Sequence, residues 1–415
     1  MRVLFVSDVY FPRVNGVSTS IRTFREDLAQ LGVDSILVAP EYPGAVPDLE
    51  PGIIRIPSGA VPGDPEDRRF LTSPLRSALS GALADKVDLV HIHTPFIAHY
   101  AGVRFARAHG MPAVATYHTF FEDYLHHYVP TLPRSLGRWI ARRFTLTQCD
   151  DVAALISPSA PMRDALVDYG VRTPIDVLPT GLPASSFVPG DGGRFRRQFG
   201  LPADCPLVLY VGRVAFEKNI DFLLRTFRRL RERHPDALFV IAGEGPAREH
   251  LANLARSLCV SQAVRFIGYL DRDRELPDCY AAGDVFVFAS RTETQGLVLL
   301  EAMAQGTLVV STAELGTRSI LSDDCGAFVV PEDEEAFAGA IEQALSLTAD
   351  DPHRARLRAH AESWASLAMA RRLMGFYEKV LADARAPLEH LGRGPQRTPS
   401  RVERSSGELA PDNRR

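Results

Sequence analysis

The sequence predicts an α/β protein of two doubly wound domains that face each other across a cleft. Three observations carry that expectation. Short Val-, Ile- and Leu-rich runs alternate with helical patterns along most of the chain, the signature of parallel sheets covered by helices on both faces. The same plan occurs twice, separated by a seam rich in Pro, Gly and Ser, P-T-G-L-P-A-S-S-F-V-P-G-D-G-G (Pro179–Gly193). A length of 415 residues also exceeds what one hydrophobic core usually supports. The expected division is residues 1–185, residues 186–362, a helix over 363–384 and a disordered tail over 385–415.

In chain order, the first-half strands are Val3–Val6, Ser35–Val38, Ile53–Ile56, Val87–Ile92, Ala113–Tyr117, Val152–Ile156 and Ile175–Leu178. Those of the second half are Leu207–Val211, Leu238–Ala242, Val264–Phe266, Val285–Phe288, Leu308–Val310 and Ala327–Val330. The opening M-R-V-L-F-V stops at Ser7 and Asp8, so it reads as a buried strand and not as a signal peptide. No apolar run approaches the roughly 20 residues of a spanning helix. Ser363–Leu381 sets Trp364, Leu367, Leu373, Phe376, Tyr377 and Val380 at helical spacing. From Arg385 onward apolar residues become sparse.

Composition excludes little but points consistently. A net charge of −4 gives no nucleic-acid footprint. The cysteines, Cys149, Cys205, Cys259, Cys279 and Cys325, form no C-x-x-C pair, which suits free thiols in a reducing cytoplasm and signals no metal site.

Ligands of doubly wound sheets bind outside the carboxyl ends of the strands, so the loops there are the candidates. R-T-E-T-Q-G-L-V-L-L-E-A-M-A-Q-G (Arg291–Gly306) follows a strand and opens a helix near Gly296. Its unpaired helix N–H groups favour an anion, and Glu293 and Glu301 bracket them, each able to accept from hydroxyls. That polarity suits a sugar nucleotide. V-G-R-V-A-F-E-K-N (Val211–Asn219) brings Arg213 and Lys218 beside another helix start, a clamp for a diphosphate; Lys218 there opposes the dipole, which strains a purely structural account. A-G-E-G-P (Ala242–Pro246) contributes Glu244, although alone it is a good turn. In the first half, Asn15-Gly16 forms a strand-to-helix turn that needs no ligand to explain it. His118 follows a strand directly and so faces the crevice, although a lone histidine is more often structural; His91 and His93 read as structural. Between Tyr124 and Cys149 no acidic residue occurs, and Arg134, Arg138 and Arg142 run parallel to Leu136, Ile140 and Phe144, with Trp139 and Arg143 beside them. Such a helix is either a solvated face over a core-facing stripe or a dock for an anionic bilayer.

E-T-Q-G-L-V-L-L-E and G-R-V-A-F-E-K-N, in this order and spacing, resemble the retaining glycosyltransferases of family 4, and the resemblance covers roughly Met1–Ala384. It implies a GT-B fold, two Rossmann-like domains with the last long helix crossing back onto the first. It also implies that Glu301 binds ribose hydroxyls, that Glu293 faces the donor sugar, and that Arg213 and Lys218 hold the diphosphate with Gly16 opposite. His118 would sit near the reacting carbon, and the amides of Gln295, Gly296 and Leu297 would grip sugar or phosphate. No cofactor is implied, the nucleotide sugar being a substrate. Many members carry an aromatic where this chain has Gln295 and Asn where it has Thr180, which leaves the donor sugar open. T-Y-H-T-F-F-E-D-Y-L-H-H-Y followed by a basic helix looks most like bacterial diacylglycerol glucosyltransferases, which favours UDP-glucose, a lipid acceptor and the inner membrane face. The alternatives are a GDP-mannose-dependent or glycan-directed transferase, a sugar-nucleotide epimerase on the same fold, and a degenerate binding module.

Overall fold

The computed structural model describes residues 1–44, 50–61, 64–118, 134–272, 274–321, 324–348 and 350–392, for 64–66, 81, 82, 134 and 386–392 the backbone alone. The strands are β1 (Arg2–Val6), β2 (Asp34–Pro40), β3 (Ile53–Ile56), β4 (Ser58–Val61), β5 (Asp64–Phe70), β6 (Leu89–Ile92), β7 (Ala113–Thr116), β8 (Ala154–Ser157), β9 (Ile175–Val177), β10 (Leu207–Val211), β11 (Leu238–Ala242), β12 (Val264–Gly268), β13 (Val285–Phe288), β14 (Leu308–Ser311) and β15 (Phe328–Val329). One sheet runs β3-β2-β1-β6-β7-β8-β9 and a second β12-β11-β10-β13-β14-β15. Every neighbouring pair in both is parallel. Two doubly wound halves are therefore present, and each strand expected from the sequence lies in one of them. The antiparallel hairpin β4–β5 was not expected. Its second strand begins D-P-E-D-R-R, which has no apolar alternation to announce it.

The continuous apolar runs follow from burial on both faces. In β1, Val3 and Phe5 point to one side, packing with Ile21, Phe24 and Leu28, while Leu4 and Val6 point to the other, toward Val103 and Phe105. The long helix Ser366–Gly392 crosses back onto the first of these layers, seating Leu373, Phe376, Tyr377 and Val380 beside Val3, Phe5 and Tyr10. Burying side chains of this size contributes about 1.5–3 kcal/mol each, enough to fix the helix on the first domain. It runs through Gly392, so Arg385–Gly392 is helical and not tail; no glycine or capping signal stands at Arg385, and Gly392 is the first glycine after it. The rest of the expected tail lies outside the described residues.

The crossing between the halves is tight. Leu182 N donates to Trp364 O and Ser366 N to Leu182 O, both at 2.8 Å. Beside them a side chain at Gly181 would come within 2.7 Å of Ser366 N and Trp364 O, so glycine alone lets the two crossing segments touch. Strand order reverses between β1 and β6 and again between β10 and β13. The crevices at those two reversals are where doubly wound sheets bind ligands. Among the described residues no helix is long and apolar enough to cross a membrane.

Candidate active site

The loops leaving β1, β7, β10, β12 and β13 meet at a cleft of about 340 Å3, lined from the first domain by Asn15, Gly16, His118 and Thr180, and from the second by Arg213, Lys218, Arg272, Glu293–Leu297 and Glu301. Its floor is the helix Leu297–Ala304. Gly296 precedes it with φ +97, a left-handed conformation that favours glycine, and a Cβ there would also meet Thr317 Cγ2 at 3.1 Å. No side chain caps this helix, so its first N–H groups remain available to an anion.

The described residues place three cation–carboxylate pairs around that end. Lys218 Nζ bonds Glu293 Oε1, Arg272 Nη2 bonds Glu301 Oε1, and Arg213 Nη1 lies 3.6 Å from Glu217 Oε1. Glu301 is buried, and Tyr280 Oη donates to its other oxygen at 2.9 Å. Burial and the neighbouring Glu301 carboxylate push the Tyr280 hydroxyl far up, which keeps it a donor. Lys218 ends the short 3-10 turn Phe216–Lys218, and Asn219, at φ +56, turns the chain into the helix Ile220–Arg233. The cation set against the dipole is thus explained locally by Glu293. The three carboxylates hold Lys218, Arg213 and Arg272 in place beside the open helix end.

The first-domain wall is neutral by comparison. Asn15 Oδ1 accepts from Ser18 N at 2.8 Å as the cap of the helix Gly16–Gln30, and a Cβ at Gly16 would meet nothing within 4 Å, so the backbone lies open to the cleft. His118 Nε2 lies 3.3 Å from His93 Nδ1 with the rings stacked. His91 is pinned between Tyr377 Oη at 2.6 Å and Thr116 Oγ1 at 2.7 Å. Burial holds His118 down to about 4, His91 to about 3 and His93 well below the usual histidine range, so all are neutral at pH 7. Bonds to the second domain close the walls together: Thr294 Oγ1 donates to His118 O at 3.0 Å, Ser159 Oγ to Thr294 O at 2.7 Å, and Arg13 Nη1 to Tyr269 Oη at 2.8 Å.

The family model for Glycosyltransferase Family 4 matches residues 14–186, and that for Glycosyl transferases group 1 matches residues 192–364. An alpha-monoglucosyldiacylglycerol synthase of Streptococcus pneumoniae is 33% identical over 360 residues, 84% of this chain and 79% of that protein. The chain is a family 4 glycosyltransferase. An enzyme of the same description from Acholeplasma laidlawii is 27% identical over 75% of this chain and 80% of its own length. Among solved structures, the sucrose-phosphate synthase of Thermosynechococcus elongatus aligns with a TM-score of 0.74 and 22% identity, covering 92% of this chain and 99% of that one, a likeness of GT-B fold.

In this glycosyltransferase His118, Gly16, Arg213, Lys218, Glu293, Gln295, Gly296, Leu297 and Glu301 all line one cleft. Glu244 does not; its carboxylate pairs with Arg248 four residues on, and Gly243 lines the cleft in its place. Glu217, Arg272, Tyr280 and His93 were not singled out as site residues from the sequence. Glu217 sits inside the quoted G-R-V-A-F-E-K-N motif, whereas Arg272 and Tyr280 reach Glu301 only through the tertiary fold.

The basic helix is Arg134–Asp150, and Arg134's side chain lies outside the described residues. Arg142 Nε donates to Tyr169 O at 2.8 Å, at the end of the helix Ala160–Tyr169, where a cation complements the helix dipole. Arg142 therefore has a structural partner, although its side chain is still exposed. Leu136, Trp139, Ile140 and Arg143, spaced by three and four, share another face. All are exposed, Trp139 by 64%; Arg138 is exposed as well, on the far side of the helix with Arg142.

Proposed function

We propose that the enzyme transfers glucose from UDP-glucose to a lipid acceptor of the diacylglycerol type, with retention, at an anionic membrane surface. The observation that carries the transfer chemistry is the uncapped N-terminus of Leu297–Ala304 set among Lys218–Glu293, Arg213–Glu217 and Arg272–Glu301. A diphosphate placed there has Arg213, Lys218 and the helix amides around it, and Glu301 lies within the helix, able to accept from ribose hydroxyls. As the bond from the anomeric carbon to the phosphate oxygen breaks, the leaving diphosphate gains negative charge, which these groups stabilise more in the transition state than in the ground state. The new bond forms from the acceptor oxygen to the same carbon on the same face, and the acceptor proton passes to the departing phosphate oxygen. Neutral His118 orients a sugar hydroxyl and Glu293 faces the ring. The nucleotide sugar is the substrate, and no cofactor or metal is invoked.

The lipid acceptor rests on the relatives' names and on the exposed face of Leu136, Trp139, Ile140 and Arg143, which suits an interfacial helix. Peripheral attachment at the cytoplasmic face of a membrane follows from the same reading. Labelled UDP-glucose incubated with the protein and vesicles of diacylglycerol and anionic phospholipid should yield a labelled glycolipid. Transfer from GDP-mannose alone, or release of an isomerised free sugar, would overturn the reading.

A further inference from the structure

Gln295 lies between Glu293 and the start of the floor helix, in the second domain, yet its side chain reaches the chain that joins the domains. Its Oε1 accepts from Thr180 N at 2.9 Å and its Nε2 donates to Thr180 O at 2.6 Å. The side-chain amide thus satisfies both backbone groups of one linker residue, as a neighbouring strand would. Gln295 is 5% exposed and Thr180 4%, so neither group has ready access to water. Thr180 Oγ1 is in turn 2.7 Å from Ser20 Oγ, on the helix whose N-terminus forms the opposite wall. Two residues beyond Thr180, Leu182 makes the crossing bonds to Trp364 and Ser366. One path of hydrogen bonds therefore runs from the loop carrying Glu293, through Gln295 and the linker, to the first-domain wall.

The donor–acceptor pattern is selective. Glutamate has the same length but would set a carboxylate oxygen against the Thr180 carbonyl, methionine offers neither group, and asparagine is shorter by one methylene. A residue that merely filled the space would not require an amide.

We propose that Gln295 is an interdomain clasp, a positioning residue whose side chain fixes the loop of Glu293 and Gly296 to the linker and so sets the closed spacing of the cleft. It acts through Glu293, Gly296 and the helix amides and does not itself hold sugar through its side chain. Only the kinetic arm of the test rests on the transferase reading.

Full-length wild type, Gln295→Glu and Gln295→Met are compared by small-angle X-ray scattering, by UDP binding and by turnover of UDP-glucose. The radius of gyration should increase in both variants. Turnover number should fall about tenfold or more, the order expected for losing two buried neutral hydrogen bonds, while UDP affinity changes less than about threefold because the charged contacts proposed for it, Arg213, Lys218, Glu301 and the floor-helix amides, all belong to the second domain. An unchanged radius of gyration in both variants, or UDP affinity falling in parallel with turnover, would overturn the clasp. Should Gln295→Glu misfold because it buries a charge, Gln295→Met carries the measurement. If wild type turns over no UDP-glucose, the proposed donor fails while scattering still decides the clasp.

Discussion

The two walls of the cleft are built from the same strand order and do opposite electrostatic work. The second domain sets Arg213, Lys218 and Arg272 against Glu217, Glu293 and Glu301 around a bare helix end. The first presents a helix start at Gly16, an amide cap at Asn15 and a histidine kept neutral by burial. In the proposed transfer, charge that develops on a leaving diphosphate would meet charged partners on one wall only. In that reading the other wall would contribute shape, neutral hydrogen bonding and exclusion of water, which would otherwise compete as acceptor.

The largest expected loss comes from the charged wall. Lys218→Ala should lower turnover by about a hundredfold or more, comparable to removing one transition-state donor, and it also strands Glu293 without its cation. Near-normal turnover in a donor assay would remove Lys218 from the diphosphate site. Glu301→Gln keeps the size of the side chain but gives up the charge paired with Arg272. Losing one charge-assisted hydrogen bond to ribose should raise the donor KM by roughly tenfold to a hundredfold. A donor KM within twofold of wild type would mean that the ribose lies elsewhere.

The fold was legible because strands buried on both faces are continuous apolar runs, and β1, β10 and β13 could be drawn almost to the residue. The hairpin β4–β5 escaped because its D-P-E-D-R-R start has no apolar period. Within the candidate site, groups that line the cleft where the chain leaves a strand were readable: Lys218, Glu293, Gly296 and His118 all sit in such loops. Their partners were not. Arg272 meets Glu301, and Gln295 meets Thr180, across distances in sequence that no local pattern encodes. Glu244 misled for the converse reason, since its motif fixes a backbone turn and leaves the side chain to an i,i+4 pair with Arg248. Gln295 and Thr180, the two positions that stood apart from many family members, bond to each other and so form one feature.

A smaller effect separates the first domain's outer face from its cleft wall. Arg138→Glu with Arg143→Glu reverses two exposed charges of this helix, Arg143 on the Trp139 face and Arg138 flanking it, each worth about 1 kcal/mol at an anionic surface. Vesicle sedimentation should show binding weakened by at least about tenfold, with UDP affinity unchanged. Arg142→Glu should instead lower the melting temperature, because Arg142 bonds the end of the helix Ala160–Tyr169. Equal loss of vesicle binding in both variants, with no change in melting temperature for Arg142→Glu, would restore Arg142 to the membrane face.

The last contrast is a difference in acid sensitivity between the domains. In the first domain burial depresses His91, His93 and His118, with folded values of about 3 for His91 and about 4 for His118. In the unfolded chain these rings titrate near the ordinary value of about 6.5. As pH falls below that value the unfolded state takes up protons that the folded state refuses, so stability decreases. The loss begins near pH 7, grows through pH 5, and levels off for His118 below about 4 and for His91 below about 3. From pH 7 to pH 6 it amounts to roughly 0.7 kcal/mol for each histidine. The second domain has a weaker version of the device, since half-buried His360 is pushed the same way. Hydrogen exchange, corrected for the intrinsic pH dependence, should therefore show β1, β6 and β7 losing more protection than β10 and β13 as pH falls from 7 to 5. Equal losses in the two sheets would mean that the stacked histidines are protonated in the folded protein, and His118 would then be able to enter the cleft as a cation, ending the neutrality of that wall.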